Sequence, residues 1–271
     1  MTELYGSDAY APREVAQRIE QVGVVKARLP WLPLTLLAVL AGAFIGLGSL
    51  GFVLVKSDPT LGYAGSQFLG GLVFSIGLFL VVVAGAELFT GNNLLVMAWA
   101  DGRIAAWEVL RNWAWVCLGN LCGAVGLAAL VTWSGHAGMN GGAVGETVVR
   151  IALAKQALPW GEALVRGMLC NVLVCLAVWM VMAGRSVVDK WLAVAFPVTV
   201  FVAAGFEHSI ANMYLMPLAW MLQTTGQVGA VAPAVTWTGM LGNWVPVIVG
   251  NLLGGSVLVG LIYHLIYRRQ A

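Results

Sequence analysis

The sequence predicts an all-α polytopic membrane protein with six transmembrane helices, arranged as an inverted repeat of three plus three in which two helices are broken. The composition, six apolar runs and a pair of motifs that recurs in the second half all support this fold. Hydrophobic residues make up 60% of the chain and charged residues 10%, whereas soluble domains carry about 25% charged residues. A chain of this composition is expected to lie in a lipid bilayer.

Six apolar runs are long enough to cross a membrane, which takes about 20 helical residues. They fall at residues 31–55, 68–100, 107–133, 160–182, 191–222 and 244–267, the second and fifth with interruptions. Tryptophans near the ends of the runs suit the headgroup boundary. We therefore assign residues 31–271 to a single six-span transmembrane domain, with no room for a soluble catalytic domain.

Residues 1–30 precede the first span, and we predict that they form a cytoplasmic amphipathic helix. Val15, Ile19, Val22 and Val25 recur at spacings of four and three, with charged residues between them, which is the period of one helical face. Two roles stay open for this helix. It is either a passive interfacial anchor or a gate that moves at the cytoplasmic mouth.

Basic residues predict the orientation, because Lys and Arg are enriched in cytoplasmic loops. One side of the predicted topology holds Arg13, Arg18, Lys26, Arg28, Arg103, Arg111, Arg185, Lys190, Arg268 and Arg269. The opposite side holds only Lys56, Arg150, Lys155 and Arg166. We therefore expect a multi-pass protein of the cytoplasmic (inner) membrane with both termini in the cytoplasm, which an even number of spans allows.

Two motifs occur twice in the same order. The pattern G-x-E-x-x-x-x-N runs from Gly85 to Asn92 in span two and from Gly205 to Asn212 in span five. An Asn-Trp pair followed by Gly-Asn-Leu-x-Gly then recurs at the same spacing in spans three and six. Because each unit contains an odd number of spans, the second copy must enter the membrane from the opposite face.

Paired interruptions in corresponding helices of inverted repeats mark the substrate site near the midplane, where half-helix amino termini attract anions. Non-helical backbone at that depth needs hydrogen-bond partners from the protein. We predict that Glu87, Asn92, Asn120, Glu207, Asn212 and Asn251 support the broken helices. This structural role is favoured over ion binding for Glu87 and Glu207, since a carboxylate facing the pore would repel an anion.

His208 differs from these residues, because an imidazole beside a helix break in an apolar span usually marks a pathway. The stretch from Leu88 to Thr90 faces it across the repeat axis, and the Thr90 hydroxyl suits a small oxyanion. His136 and His264 have no such setting, and we predict no role for them. All four cysteines lie in apolar segments, so we expect neither metal ligation nor disulfides.

These motifs resemble the formate/nitrite transporter family, whose broken helices carry stretches like GAELFTGNN and GFEHSIANM. The resemblance implies an aquaporin-like protomer, a homopentamer with one pore per subunit, and two apolar constrictions around a central histidine. By position, it implies constrictions at Phe74, Leu78, Leu88, Phe89 and Phe201. It implies a central site at Thr90 and His208, and polar pathway groups at Lys155, Asn171 and Asn251.

We therefore expect a channel for small monovalent anions, with formate favoured and with nitrite, hydrosulfide or lactate as alternatives. A neutral-solute channel of the aquaglyceroporin type is the rival class, although the paired asparagine-proline-alanine signature of such channels is absent. No catalytic nucleophile or metal cluster stands out. We expect no enzyme activity, cofactor, metal or nucleic-acid partner; the expected partners are the anions, the bilayer and further copies of the chain.

Overall fold

The computed structural model describes residues 9–229 and 233–268, so Arg269 lies outside the described residues. Each repeat starts with a short helix that precedes its three spans, α1 (Pro12–Ala27) or α7 (Ala143–Gln156), and we refer to these two as the surface helices. The first span follows as α2 (Trp31–Lys56) or α8 (Trp160–Ala183). The predicted spans are helical apart from the two interruptions, which confirms the all-α fold class.

The second span of each repeat is broken. In the first repeat it comprises α3 (Tyr63–Phe74), α4 (Ile76–Leu80), a π-helical turn (Val81–Gly85), a 3-10 turn (Gly91–Leu94) and α5 (Leu95–Ala100). In the second it comprises α9 (Val187–Ala203) and α10 (Ser209–Thr224). The third span is α6 (Ala106–Trp133) or α11 (Trp237–Leu252), the latter continued by a π-helical segment (Leu253–Leu261) and α12 (Ile262–Tyr267).

Five helical stretches in the described part of the chain are long and apolar enough to cross a membrane. The remaining span, the fifth along the chain, falls short of this criterion because its break divides it into α9, of 17 residues, and α10, of 16 residues. The spans also start earlier than the apolar runs predict, at Tyr63, Val187 and Trp237. Polar residues in these first turns do not stop a helix that packs against its neighbours.

Helix α7 was not predicted, because its charged residues give the segment a loop-like composition. Its buried face is formed by Val144, Val148 and Ala152, which recur every four residues, as expected for one face of a helix. The helix packs on α10 and α11. It is the counterpart of α1 in the second repeat, and it places Lys155 beside the second broken helix.

Helix α1 buries a different face from the predicted one. Val15 and Ile19 are buried as expected, but Val25 is 65% exposed, and Gly23 and Ala27 take the buried positions instead. The face shifts because α1 packs closely against α5, where a side chain on Gly23 would meet Ala98. Small residues permit this approach.

Glu20 of α1 is fully buried and ties this helix to the carboxyl-terminal segment. Its carboxylate accepts from Arg268 Nε at 2.9 and 3.1 Å and lies 3.5 Å from His264 Nδ1. Burial raises the pKa of the Glu20 carboxyl, and the guanidinium of Arg268 opposes that rise. His264 thus lies beside this buried carboxylate, and the expectation that it has no role in the pathway stays a prediction.

Close helix crossings hold each repeat together. Helix α2 packs along α6, and α8 packs along α11. A β-carbon on Gly123 would overlap the carbonyl oxygen of Val39, and one on Gly254 would overlap that of Met168. Such small residues let helix backbones approach closely inside membranes.

We predict that Gly123→Ala and Gly254→Ala each destabilise the fold by about 1–3 kcal/mol, because the added methyl group meets backbone that can move only with its helix. Thermal unfolding in detergent would measure the loss. Gly126→Ala and Gly242→Ala are matched controls, since a β-carbon at either position meets nothing within 4 Å. Equal unfolding temperatures for all four variants would contradict this account of the crossings.

Candidate functional site

The two helix breaks have matching backbone geometry. Gly85 and Gly205 adopt positive φ angles of +87° and +70°, a conformation that residues with a side chain rarely adopt. The chain then runs extended towards the second half-helix of each break, and His208 stands at the N-cap of α10. Both predicted interruptions are therefore present at the predicted positions.

An asparagine from the third span braces each break. Asn120 donates from Nδ2 to the carbonyl groups of Ala38 and Glu87, at 2.7 and 2.9 Å, and accepts from Phe89 N–H at 2.9 Å. The bonds to Glu87 and Phe89 satisfy backbone groups that the break leaves without a helical partner. The bond to Ala38 reaches the neighbouring span, α2. Asn120 is fully buried, as its predicted bracing role requires.

Asn251 makes the equivalent contacts in the second repeat. Its Nδ2 donates to the carbonyl groups of Gly167 and Glu207, at 2.8 and 3.0 Å, and its Oδ1 accepts from Ser209 N–H at 3.0 Å. The side chain is fully buried. Of the two roles predicted for Asn251, these contacts correspond to support of the broken helix.

A lysine and two further asparagines surround each of the glutamates. In the first repeat, Glu87 lies 2.8 Å from Lys26 Nζ and accepts from Asn92 Nδ2 at 2.7 Å. Asn92 also donates to Asn112 Oδ1 at 3.0 Å, and Asn112 donates to the carbonyl of Lys26 at 3.2 Å. The cluster links α1, the broken span and α6.

The second repeat reproduces this cluster. Glu207 lies 2.9 Å from Lys155 Nζ and accepts from Asn212 Nδ2 at 2.6 Å. Asn212 donates to Asn243 Oδ1 at 2.7 Å, and Asn243 donates to the carbonyl of Lys155 at 3.0 Å. Both glutamate side chains are nearly buried, with 6% and 5% exposed.

The sequence pattern does not predict Lys26, Asn112 or Asn243 as site residues. The repeated Asn-Trp pair contains Asn112 and Asn243, so that repeat was a usable signal. Lys26 and Lys155 carry no such signal, because the ion pairs join residues 61 and 52 positions apart. Only the packing of the surface helices against the breaks reveals Lys26 as a site residue and the pairing of Lys155, which the family resemblance already implies as a pathway group, with Glu207.

His208 and Thr90 meet between the two breaks. His208 Nε2 lies 3.1 Å from Thr90 Oγ1, and both side chains are buried. His208 Nδ1 accepts from the Ala211 backbone N–H at 3.2 Å, so the proton of the neutral ring belongs on Nε2. The imidazole therefore presents an N–H group towards the threonine hydroxyl.

Aromatic rings cover His208 on one side. The ring of Phe201 stacks on it with centroids 6.0 Å apart, and the ring of Phe74 lies edge-on at 6.5 Å. Asn171, also buried, donates to the carbonyls of Thr90 and Asn251 at 3.2 and 2.7 Å. The central pair thus contacts aromatic rings through His208 and the Asn171 amide through the Thr90 backbone.

Two cavities with no lining residue in common adjoin the two breaks. The first has a volume of about 290 Å³ and is lined by residues that include Lys26, Leu78, Glu87 and Leu88. The second has a volume of about 350 Å³, and its lining includes Lys56, Phe74, Lys155, Phe201 and His208. Within the described chain, Phe89, Asn171 and Asn251 line neither cavity.

Comparison with known proteins identifies the family. The family profile described as "Formate/nitrite transporter" matches residues 13–265. The chain belongs to the formate/nitrite transporter family. It is 37% identical to the formate channel FocA of Escherichia coli K12, with 97% of this chain and 96% of that protein covered. It is 38% identical to the uncharacterised transporter YrhG of Bacillus subtilis, with 96% and 94% covered.

Solved structures of family members share the fold. The structure of a pentameric formate channel with formate bound superposes on this chain with a TM-score of 0.80. The two chains are 38% identical, and the match covers 88% of this chain and 97% of that chain. An FNT family ion channel matches with a TM-score of 0.84 at 32% identity, over 93% and 98%. The predicted aquaporin-like protomer is therefore confirmed.

We predict that Lys155→Gln destabilises the protein by about 3–5 kcal/mol, because it leaves the buried carboxylate of Glu207 without a counter-charge. Lys26→Gln should act in the same way through Glu87. The double variant Lys155→Gln/Glu207→Gln should recover much of the loss. Thermal unfolding in detergent measures all three, with Lys190→Gln as an off-site control. A Lys155→Gln protein as stable as the wild type would disprove this pairing role.

Proposed function

We propose that this chain forms a channel that conducts formate and other small monovalent anions across the cytoplasmic membrane. The observation that carries the proposal is the buried contact between His208, which lines one cavity, and Thr90, whose neighbours Leu88 and Gly91 line the other. Membership of a family that contains formate channels supports it. Transport, rather than catalysis, is the activity that this arrangement favours.

The proposed assembly is a homopentamer with one pore in each subunit. The structural relative is a pentameric formate channel, and apolar side chains such as Leu110, Leu118 and Phe196 are exposed on the single chain.

The proposed orientation places both termini in the cytoplasm, following the distribution of basic residues. The first cavity, lined by α1 residues, then faces the cytoplasm, and the second faces the opposite side.

The proposed barrier is apolar on both sides of the central pair. Leu78 and Leu88 line the first cavity, and Phe74 and Phe201 line the second; we propose that these four side chains form the constrictions of this barrier. An isolated charge in such surroundings costs tens of kcal/mol in the Born limit. Neutralising an acid with a pKa near 4 at pH 7 takes about three pK units, or roughly 4 kcal/mol, so passage as the neutral acid is far cheaper.

The central pair suits this neutralisation. The anion accepts hydrogen bonds from Thr90 Oγ1 and His208 Nε2, takes the Nε2 proton of the imidazolium form, and crosses as the acid. The ring is left neutral with its remaining proton on Nδ1, and a proton taken up from the bulk solvent restores the imidazolium. In the ring as the structure has it, Nδ1 accepts from the Ala211 N–H group, so the imidazolium and the Nδ1–H form left by the transfer both lack this bond. Protonation of His208 at Nδ1 is therefore coupled to loss of the hydrogen bond from the Ala211 N–H group.

Selectivity distinguishes this proposal from the neutral-solute rival. Because the pathway should admit only small monovalent acids, protein in liposomes is expected to pass formate and nitrite, and to exclude sulfate and glycerol. Stopped-flow measurements with each solute would decide. Rapid glycerol flux in the absence of anion flux would favour the neutral-solute channel, and hydrosulfide flux without formate flux would favour another substrate of the same family.

We predict that His208→Asn assembles normally, because it keeps a polar side chain that can cap α10, but loses the pH dependence of formate flux. Flux measured from about pH 5 to 8 brackets the ordinary imidazole pKa of about 6.5. At most an anion leak should remain. Native mass spectrometry controls for assembly. A well-assembled variant whose pH profile overlays that of the wild type would rule out proton transfer at His208.

A further inference from the structure

The charges that line the two cavities are not balanced in the same way. The first cavity is lined by Lys26 and Glu87, which form an ion pair at 2.8 Å. The second is lined by Lys56, Lys155, Arg166 and Glu207. It therefore holds three positive side chains and one negative one, although the repeat makes the two cavities equivalent in backbone.

Two of the three cations in the second cavity have carboxylate partners. Lys155 contacts both oxygens of Glu207, at 2.9 and 3.0 Å. Arg166 contacts Glu162 at 3.0 Å, one turn earlier in α8. At distances of several ångströms, each of these pairs is close to neutral, so neither leaves a full positive charge facing an incoming anion.

Lys56 is in a different position. It is the last residue of α2, and its Nζ donates to Gln67 Oε1 of α3 at 2.9 Å. Gln67 is uncharged, and no carboxylate in the described parts of the chain lies within ion-pair distance of Lys56. The amide holds the ammonium group at the cavity wall without neutralising it, and leaves two of its three N–H groups available.

We propose that Lys56 is the cation that captures small anions in the cavity leading to His208. This inference rests on the proposed function, and it gives the attraction of the anion to Lys56 rather than to Lys155, the pathway lysine that the family resemblance implies. An uncompensated charge in a cleft with low-dielectric walls raises the local concentration of counter-ions and their rate of association. The first cavity has no equivalent residue, so anions enter more readily from the second.

The experiment compares initial formate uptake, as a function of formate concentration, for the wild type, Lys56→Gln and Lys56→Arg in liposomes. At about 10 mM ionic strength, where the Debye length is about 30 Å, Lys56→Gln should raise the apparent KM about three- to tenfold with little change in maximal flux. Lys56→Arg keeps the charge and should stay close to the wild type. Lys190→Gln, which removes a lysine that lines neither cavity, is the matched control.

Raising the ionic strength distinguishes electrostatic capture of the anion by Lys56 from a structural effect of the substitution. Near 1 M ionic strength the Debye length falls to about 3 Å, so the Lys56→Gln deficit should shrink to less than twofold. A deficit that persists at high salt, or a concentration dependence identical to that of the wild type, would overturn the role of Lys56. The series is run with nitrite as well. A wild-type protein that passes neither anion would overturn the proposed function together with this inference.

Discussion

Backbone that leaves its helix at membrane depth must find hydrogen-bond partners within the protein, because hydrocarbon offers none. The rest of this structure depends on how that requirement is met. Asn120 and Asn251 each bind three backbone groups, which belong to the broken helix and to the span behind it. Each break is thereby held in a fixed relation to the first and third spans, and the central side chains are fixed with it.

The two buried glutamates impose a second requirement. A buried carboxylate needs a counter-charge and further hydrogen bonds, and here both come from lysines on α1 and α7 and from Asn92 and Asn212. The surface helices are thus connected to the interior of the pathway. Since Lys26 pairs with Glu87, any displacement of α1 would also uncover the charge of the first broken helix. The Lys26–Glu87 ion pair would hold α1 in place if this helix is an anchor, and it would have to break if this helix moves as a gate.

The repeat is symmetric where it supports the fold and asymmetric where we propose chemistry. The motifs align Glu87 with Glu207 and Asn92 with Asn212, and these pairs make matching contacts. The same alignment places Leu88 opposite His208, and Thr90 opposite an isoleucine. One break therefore supplies the imidazole and the other the hydroxyl, and the two meet because the inverted copies face each other at the midplane.

The sequence by itself determined the membrane fold, the inverted repeat, the two breaks and the residues that brace them. Apolar run length and motif repetition are local properties, and a buried histidine or glutamate in such a run is conspicuous. The tertiary structure alone decided the Lys26–Glu87 and Lys155–Glu207 pairs, the surface helix α7, the shifted face of α1 and the contact of Glu20 with Arg268. The ion pairs and the packing of α1 join residues far apart in the chain, and their partners are selected by helix packing, which leaves no periodic signal in the sequence. Helix α7 does have a periodic apolar face, but its charged residues give the segment a loop-like composition.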